Sequence, residues 1–172
     1  MTRLYRNPPV YNQDGTITFP LNKGYFTTID LCDEDLADMR WYALVTKNGH
    51  VYAYGGSGKK LLHREIIERQ QSRTLTRQDY VDHLNNDGLD NRRSNLRLCS
   101  QSQNLANSIP RHNLSGLKGT SLVRYKTQIK WKGKIKHQGT EYYLGVFDTP
   151  EEAHEAYKKK AIELFGEFAR WE

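Results

Sequence analysis

Long apolar runs are missing from this 172-residue sequence. No stretch approaches the ~18–20 consecutive apolar residues that a membrane helix needs, which rules out a helical span. Cysteine is scarce: only Cys32 and Cys99 occur, far apart and outside any C-x-x-C pair. Neither a disulfide framework nor a four-cysteine zinc knuckle is expected, and two inert thiols in a reducing cytosol are. The opening stretch MTRLYRNPPVYNQDG has no apolar core, so a cleaved secretory leader is not expected and a cytoplasmic location is. Hydrophobic residues make up only 37%, but 11% are aromatic, including 11 Tyr and 3 Trp. That aromatic share can build small cores and argues against global disorder. No long repeat or low-complexity tract is visible.

Acidic residues are absent over one long window. Arg111 to Thr140 holds eight basic residues (Arg111, Lys118, Arg124, Lys126, Lys130, Lys132, Lys134, Lys136) and no Asp or Glu. The last 32 residues reverse this, with eight acids against four bases. The whole chain carries only +6. A basic stretch interleaved with Tyr125 and Trp131 suits a surface that tracks phosphates, although a solvated lysine-rich hairpin reads the same way.

The expected fold class is α+β. Residues 1–60 form a small α+β unit: Thr16–Phe19 and Val51–Tyr54 alternate as strands, Asp14-Gly15 and Asn48-Gly49 mark hairpin turns, and Asp33–Ala37 is a short helix. Residues 61–110 read as a helix beginning at Leu61, then strand (Tyr80–Leu84), loop, strand (Asn95–Cys99) and helix (Gln103–Ser108). Ser100 and Gln103 make a capping box for the last helix, and Pro110 stops it. Residues 111–116 are a linker. Residues 117–172 carry three strands, near Gly119–Val123, Thr127–Trp131 and Tyr142–Val146. A helix follows, capped by Thr149, Pro150 and Glu152, with Ala153, Tyr157, Ala161, Leu164 and Phe168 on its inner face.

One constellation carries chemistry. Asp82 and His83 close the first short strand; Asn95 follows His83 by 12 residues and Asn104 follows Asp82 by 22. Hydrolysis of a phosphodiester needs an activated water, a Lewis acid at the phosphate and a base held still. Asp82 supplies a hard anionic oxygen and Asn104 an amide oxygen, half a shell for one octahedral Mg²⁺ or Mn²⁺. His83 can take a proton from water near neutral pH, and Asn95 can accept from its other ring nitrogen and fix the tautomer. Each residue also has a plain reading: a polar surface pair for Asp82 and His83, turn formers for Asn91 and Asn95, exposed helix positions for Asn104 and Asn107. Adjacent strand residues also face opposite ways, so Asp82 and His83 meet one phosphate only if the strand ends or bulges there.

On these residues the segment Tyr80–Ser108, YVDHLNNDGLDNRRSNLRLCSQSQNLANS, resembles the ββα-metal motif of HNH endonucleases, most of all the phage and intron-encoded homing branch. The resemblance extends to the upstream Leu62-His63-Arg64, of which His63 is read as structural. It implies Asp82 and Asn104 as ligands to one metal ion per site, His83 as general base and Asn95 as its positioning partner. Asn104 stands where the family name has a histidine, which favours a hard ion over zinc. Residues 1–60, with Trp41-Tyr42-Ala43 and Val51-Tyr52-Ala53, are similar to the leader that often precedes this motif in phage proteins.

Further on, Gly116-Leu117-Lys118-Gly119, Tyr143 to Thr149, Glu151-Glu152-Ala153 and Ala156-Tyr157 resemble the APETALA-type (ethylene-response-factor) DNA-binding domain over nearly all of residues 113–170. That domain lays a three-stranded sheet in the major groove. Period-2 spacing puts Lys126, Gln128, Lys130 and Lys132 on the DNA face and Thr127, Ile129 and Trp131 against the helix. Gln128 suits an adenine edge and the lysines suit phosphates. Lys118, Ser121, Arg124 and Tyr143 fall near positions the family uses. The first hairpin differs from the family and lacks its arginine cluster, so no base preference carries over. The joint expectation is a site-specific, metal-dependent endonuclease of the homing type. It acts on double-stranded DNA as a monomer or dimer, with no obligatory protein partner, in the host cytoplasm if phage-encoded. Its rival is a DNA-binding regulator with an inactive nuclease fold.

Overall fold

A computed structural model describes residues 8–108 and 113–171. The expected helix stop at Pro110 and the linker residues Arg111 and His112 lie outside the described residues, as does the start of the N-terminal stretch. The architecture is α+β, and the chain divides into two compact units, Met1–Leu98 and Cys99–Glu172.

The first unit opens with β1 (Val10–Tyr11), β2 (Thr16–Pro20) and β3 (Phe26–Asp30), an antiparallel sheet in that order. Asp14-Gly15 turns the first hairpin as expected, with Gly15 at φ +79°. A 3₁₀ helix, Leu31–Asp38, stands where the short helix was expected. Its regularity breaks at Asp33, whose carboxylate is committed to Arg93. Next come β4 (Trp41–Val45), β5 (Val51–Gly55) and β6 (Lys60–Leu61), a second antiparallel sheet with Asn48-Gly49 at its first turn. Helix α1 (Leu62–Gln71) leads to β7 (Tyr80–His83), which pairs with β8 (Leu96–Cys99).

Alternation decides which side chains enter the core. Ile17 and Phe19 on β2, Ile29 on β3, and Ala43 and Ala53 on facing strands point inward, while α1 contributes Leu62, Ile66 and Ile67 and β8 contributes Leu96. Each fully buried large aliphatic or aromatic side chain here contributes about 1.5–3 kcal/mol. Trp41 joins them and its indole N–H donates to the Leu36 carbonyl at 2.7 Å, so no polar atom is stranded. Residues before and after position 60 therefore share one core, and the division expected at residue 60 does not divide the packing.

The second unit begins with α2 (Gln101–Asn107). Its capping box is formed as expected: Gln103 N–H donates to Ser100 Oγ at 3.2 Å, and Ser100 N–H donates to Gln103 Oε1 at 2.8 Å. Strands β9 (Thr120–Arg124), β10 (Ile129–His137) and β11 (Thr140–Phe147) form an antiparallel sheet with β10 central. Helix α3 (Pro150–Phe165) covers it, packing Tyr157, Ala161 and Phe165 on Ile135 and Ala106. Thr149, Pro150 and Glu152 cap α3 as expected. Burial pushes the Tyr157 hydroxyl up to about 12.

The middle strand differs from the expectation of Thr127–Trp131. The bond from Tyr125 N–H to the Gln128 carbonyl, 2.9 Å, closes a tight turn, and the strand starts only at Ile129. Lys126 and Gln128 thus lie at the exposed hairpin tip, not on the strand face, and Ile129 is 56% exposed instead of packed on the helix.

Gly119 packs directly against Tyr157. Its φ is +78°, and a Cβ there would overlap the Tyr157 ring. Gly119→Ala is expected to destabilise the protein by about 3 kcal/mol, from overpacking and a left-handed backbone together. Urea titration followed by tryptophan fluorescence measures this; an unchanged midpoint would refute the packing described for α3.

Candidate active site

The loop between β7 and β8 has little regular structure and takes its shape from β3. Thr28 N–H donates to the Leu89 carbonyl at 3.0 Å, and Asn91 N–H donates to the Thr28 carbonyl at 2.8 Å. Arg93 adds a bidentate pair to the buried Asp33, both bonds at 2.8 Å, and its backbone N–H donates to Asp30 at 2.6 Å. Within the loop, Arg92 grips Asp90 through two bonds of 2.7 Å, which holds that carboxyl below its usual range.

Asn95 works in this scaffold. Its amide donates to Asn85 Oδ1 at 3.0 Å and to the Asp90 carbonyl at 2.8 Å, and its Oδ1 accepts from Asn85 N–H at 3.1 Å. The expected bond from Asn95 to His83 is not what the structure shows. Asn91 takes that place, with Oδ1 3.3 Å from His83 Nε2. The twelve-residue spacing put Asn95 at the right height, but its amide is consumed in closing the loop.

The bond from His83 to Asn91 has a direction that the surrounding bonds determine. Thr27 Oγ1 donates its only proton to the Leu89 carbonyl at 2.7 Å, so it accepts from Asn91 Nδ2 at 2.8 Å. Asn91 Oδ1 is then the atom facing His83 and can only accept. Nε2 of a neutral His83 must carry the proton, which leaves the lone pair on Nδ1. Sequence reasoning missed both Asn91 and Thr27.

Strand β7 ends at His83, which answers the geometric objection, and Asp82 and His83 are both buried, at 5% and 6% exposure. Arg97, also missed, donates to Asp82 Oδ2 through Nε at 3.1 Å and Nη2 at 3.0 Å. His63 lies against His83 with ring centroids 5.0 Å apart. Burial holds both imidazoles below their ordinary value, His63 well below, and Asn91 and nearby carboxylates partly offset this for His83. Asn104 lies half-buried on α2 in the second unit, one helical turn from the buried Asn107.

Among the described residues no three His, Cys, Asp or Glu side chains cluster as a metal cage. In the first unit the carboxylate of Asp82 is a hard oxygen donor, which suits a largely hydrated cation better than zinc.

The expected DNA-contact residues divide by face. Residues opposite one another in an antiparallel ladder share a face. Lys130, Lys132, Lys134 and Lys136 of β10 stand with Ser121 of β9 and with Tyr143 and Val146 of β11. Lys130 pairs with Asp148, and Lys134 with Glu141 at 2.9 Å. Arg124 is exposed at the end of β9. Lys118 is a correction: it is 9% exposed, and its ammonium donates to the Ala106 carbonyl and, at 2.6 Å, to the Ser108 carbonyl. Those are carbonyls left unpaired at the end of α2, and the lysine is spent on capping them.

A buried imidazole of fixed tautomer beside a buried carboxylate, on a strand–loop–strand frame, is the equipment of a hydrolytic nuclease. The sequence pattern of HNH endonucleases matches residues 75–106. The chain is 32% identical over 160 residues to "Uncharacterized HNH endonuclease L560" of Acanthamoeba polyphaga mimivirus, which is 91% of this chain and 81% of that protein. It is also 32% identical over 93 residues to "Protein 3.8" of Escherichia phage T7, 54% of this chain and 74% of that protein. No solved structure gives a significant match. The chain belongs to the HNH endonuclease family, whose substrate is DNA and whose members generally depend on a divalent metal. No match brings an APETALA-type domain to the second unit.

The depressed imidazoles set a pH dependence of stability. Between the lowered folded value of His63 and its ordinary 6.5, the unfolded chain binds more protons than the folded one. Stability is therefore full above about pH 6.5 and falls as pH drops below it. Urea midpoints at about pH 7.5 and 5.5 are expected to show the loss, and His63→Phe should reduce it. Equal slopes in the variant and the parent would remove His63 as its source.

Proposed function

We propose that the chain is a site-specific, metal-dependent DNA endonuclease of the homing type. The observation that carries this reading is the hydrogen-bond line Leu89–Thr27–Asn91–His83, which presents one defined nitrogen of a neutral imidazole beside Asp82. His83 Nδ1 takes the proton of the attacking water as that water closes on phosphorus. Asn91 holds the Nε2–H and steadies the imidazolium that results. Asn95 keeps the loop closed around both. Asp82 and Asn104 would hold Mg²⁺ or Mn²⁺, which when bound supplies a Lewis acid for the phosphate and the leaving oxygen.

The second unit is the DNA-binding module in this reading. Lys130 and Lys132, with Ser121 and Tyr143, form one face of the sheet, and Arg124, Lys126 and Gln128 extend it at the hairpin end. Tethering such a face to the nuclease unit raises the local concentration of the catalytic group at DNA. The viral relatives fit action in the cytoplasm of a host cell.

Supercoiled plasmid with Mg²⁺ is expected to be nicked or linearised, and EDTA is expected to stop this. His83→Ala should lower the cleavage rate at least about 10²-fold while DNA affinity stays unchanged. Cleavage by that variant at the parent rate would refute the mechanism. Binding without any nicking, insensitive to EDTA, would instead support a regulator with an inactive nuclease fold.

The lysine face has its own test. Lys130→Ala and Lys132→Ala should each weaken DNA binding and lower the log–log salt slope by about one. Lys118→Ala should leave that slope alone. Unchanged slopes for the first two would turn this face away from DNA.

A further inference from the structure

We propose that Tyr52 and His63 are positioning residues that clamp the His83 imidazole by its ring, a role that rests on His83 being the general base. The contact to Asn91, 3.3 Å from Nε2, engages one edge of that ring. Two further rings close on it. His63 from α1 lies edge-to-face, with centroids 5.0 Å apart and planes at 88°. Tyr52 from β5 lies 6.0 Å away at 43°. Tyr52 and His63 also meet each other, at 5.6 Å and 68°, so the three rings form a closed triangle. Aromatic pairs favour these tilted arrangements, and three together restrict each member more than any one pair does.

Tyr52 is itself backed by the loop that carries Asn91. A Cβ at Gly88 would overlap the Tyr52 ring and the Val51 carbonyl, so backbone and ring are in close contact there. The β4–β5 hairpin, α1, β7 and the loop thereby converge on one imidazole, all within the first unit. His63 is 6% exposed, and its Nδ1 is buried without a hydrogen-bond partner among the described residues. What His63 presents to His83 is the edge-to-face contact of its ring.

The test compares ring-keeping with ring-removing variants. His63→Ala and Tyr52→Leu are expected to lower kcat on cognate or plasmid DNA by about 10²-fold, because a loosened base no longer meets its water, with KM and DNA affinity unchanged. His63→Phe and Tyr52→Phe are expected to recover most of that loss. A readout independent of cleavage is the ¹⁵N–¹H spectrum of the histidine rings. His83 should show one Nε2–H tautomer in the parent and a mixed or broadened one in His63→Ala and Tyr52→Leu. Should His63→Ala fail to fold, Tyr52→Leu and the two Phe variants carry the comparison. The clamp is refuted if His83 keeps a single sharp tautomer in the ring-removing variants. It is equally refuted if His63→Phe is as impaired as His63→Ala, since the nitrogen would then be what matters. Failure of the base assignment shows differently: His83→Ala would then cut normally, whatever the spectra of the clamp variants.

Discussion

The edge of β3 is what gives the nuclease loop a shape. Residues 85–95 consist mostly of Asn, Asp, Arg and Gly, with almost nothing to bury, and such a segment left to itself samples many conformations. Two backbone bonds to Thr28 and the Arg93–Asp33 pair replace that freedom with one arrangement. Everything proposed for the site follows from it. Thr27 lies beside the docked strand, so its hydroxyl reaches Asn91, and Asn91 in turn orients His83. The tautomer of His83 is thus dictated from a strand more than fifty residues upstream of it.

Local features were legible in the sequence and distant partners were not. Strands β7 and β8 and both capping boxes depend on neighbours within a few residues, and they form close to where the alternation and the Ser100 and Thr149 spacings put them. The inward set Leu62, Ile66 and Ile67 was readable for the same reason. Asn91 was readable only as a turn former, because the residue that gives its amide a direction is 64 positions away. Asn95 has the expected prominence but a different task, since regular spacing reports distance along the chain and not which polar atoms remain unclaimed. Arg97 gave no signal at all: an arginine on a short strand reads as solvated until its carboxylate partner is known.

The second unit shows the same division. Helix α3 follows its pattern through Ala161 and then buries Phe165, with Leu164 half-buried and Phe168 beyond the helix end, while the central strand begins two residues later than the alternation of Lys and apolar residues implies. Alternation continues through a turn as readily as through a strand, so it cannot mark the strand end; the Tyr125–Gln128 bond does. Lys118 adds a related lesson. A positive charge can be counted from the sequence, but whether it faces a phosphate or a helix end depends on carbonyls ten and twelve residues earlier.

The shared core of the first unit bears on how such a nuclease can be inherited. The stretch that carries the family pattern, residues 75–106, contributes few of the side chains that bury one another; the hairpins and α1 supply most of them. A gene fragment encoding the pattern alone would transfer the chemistry's alphabet without the surface that spells it. Recombination that respects the physical unit has to carry the upstream hairpins along.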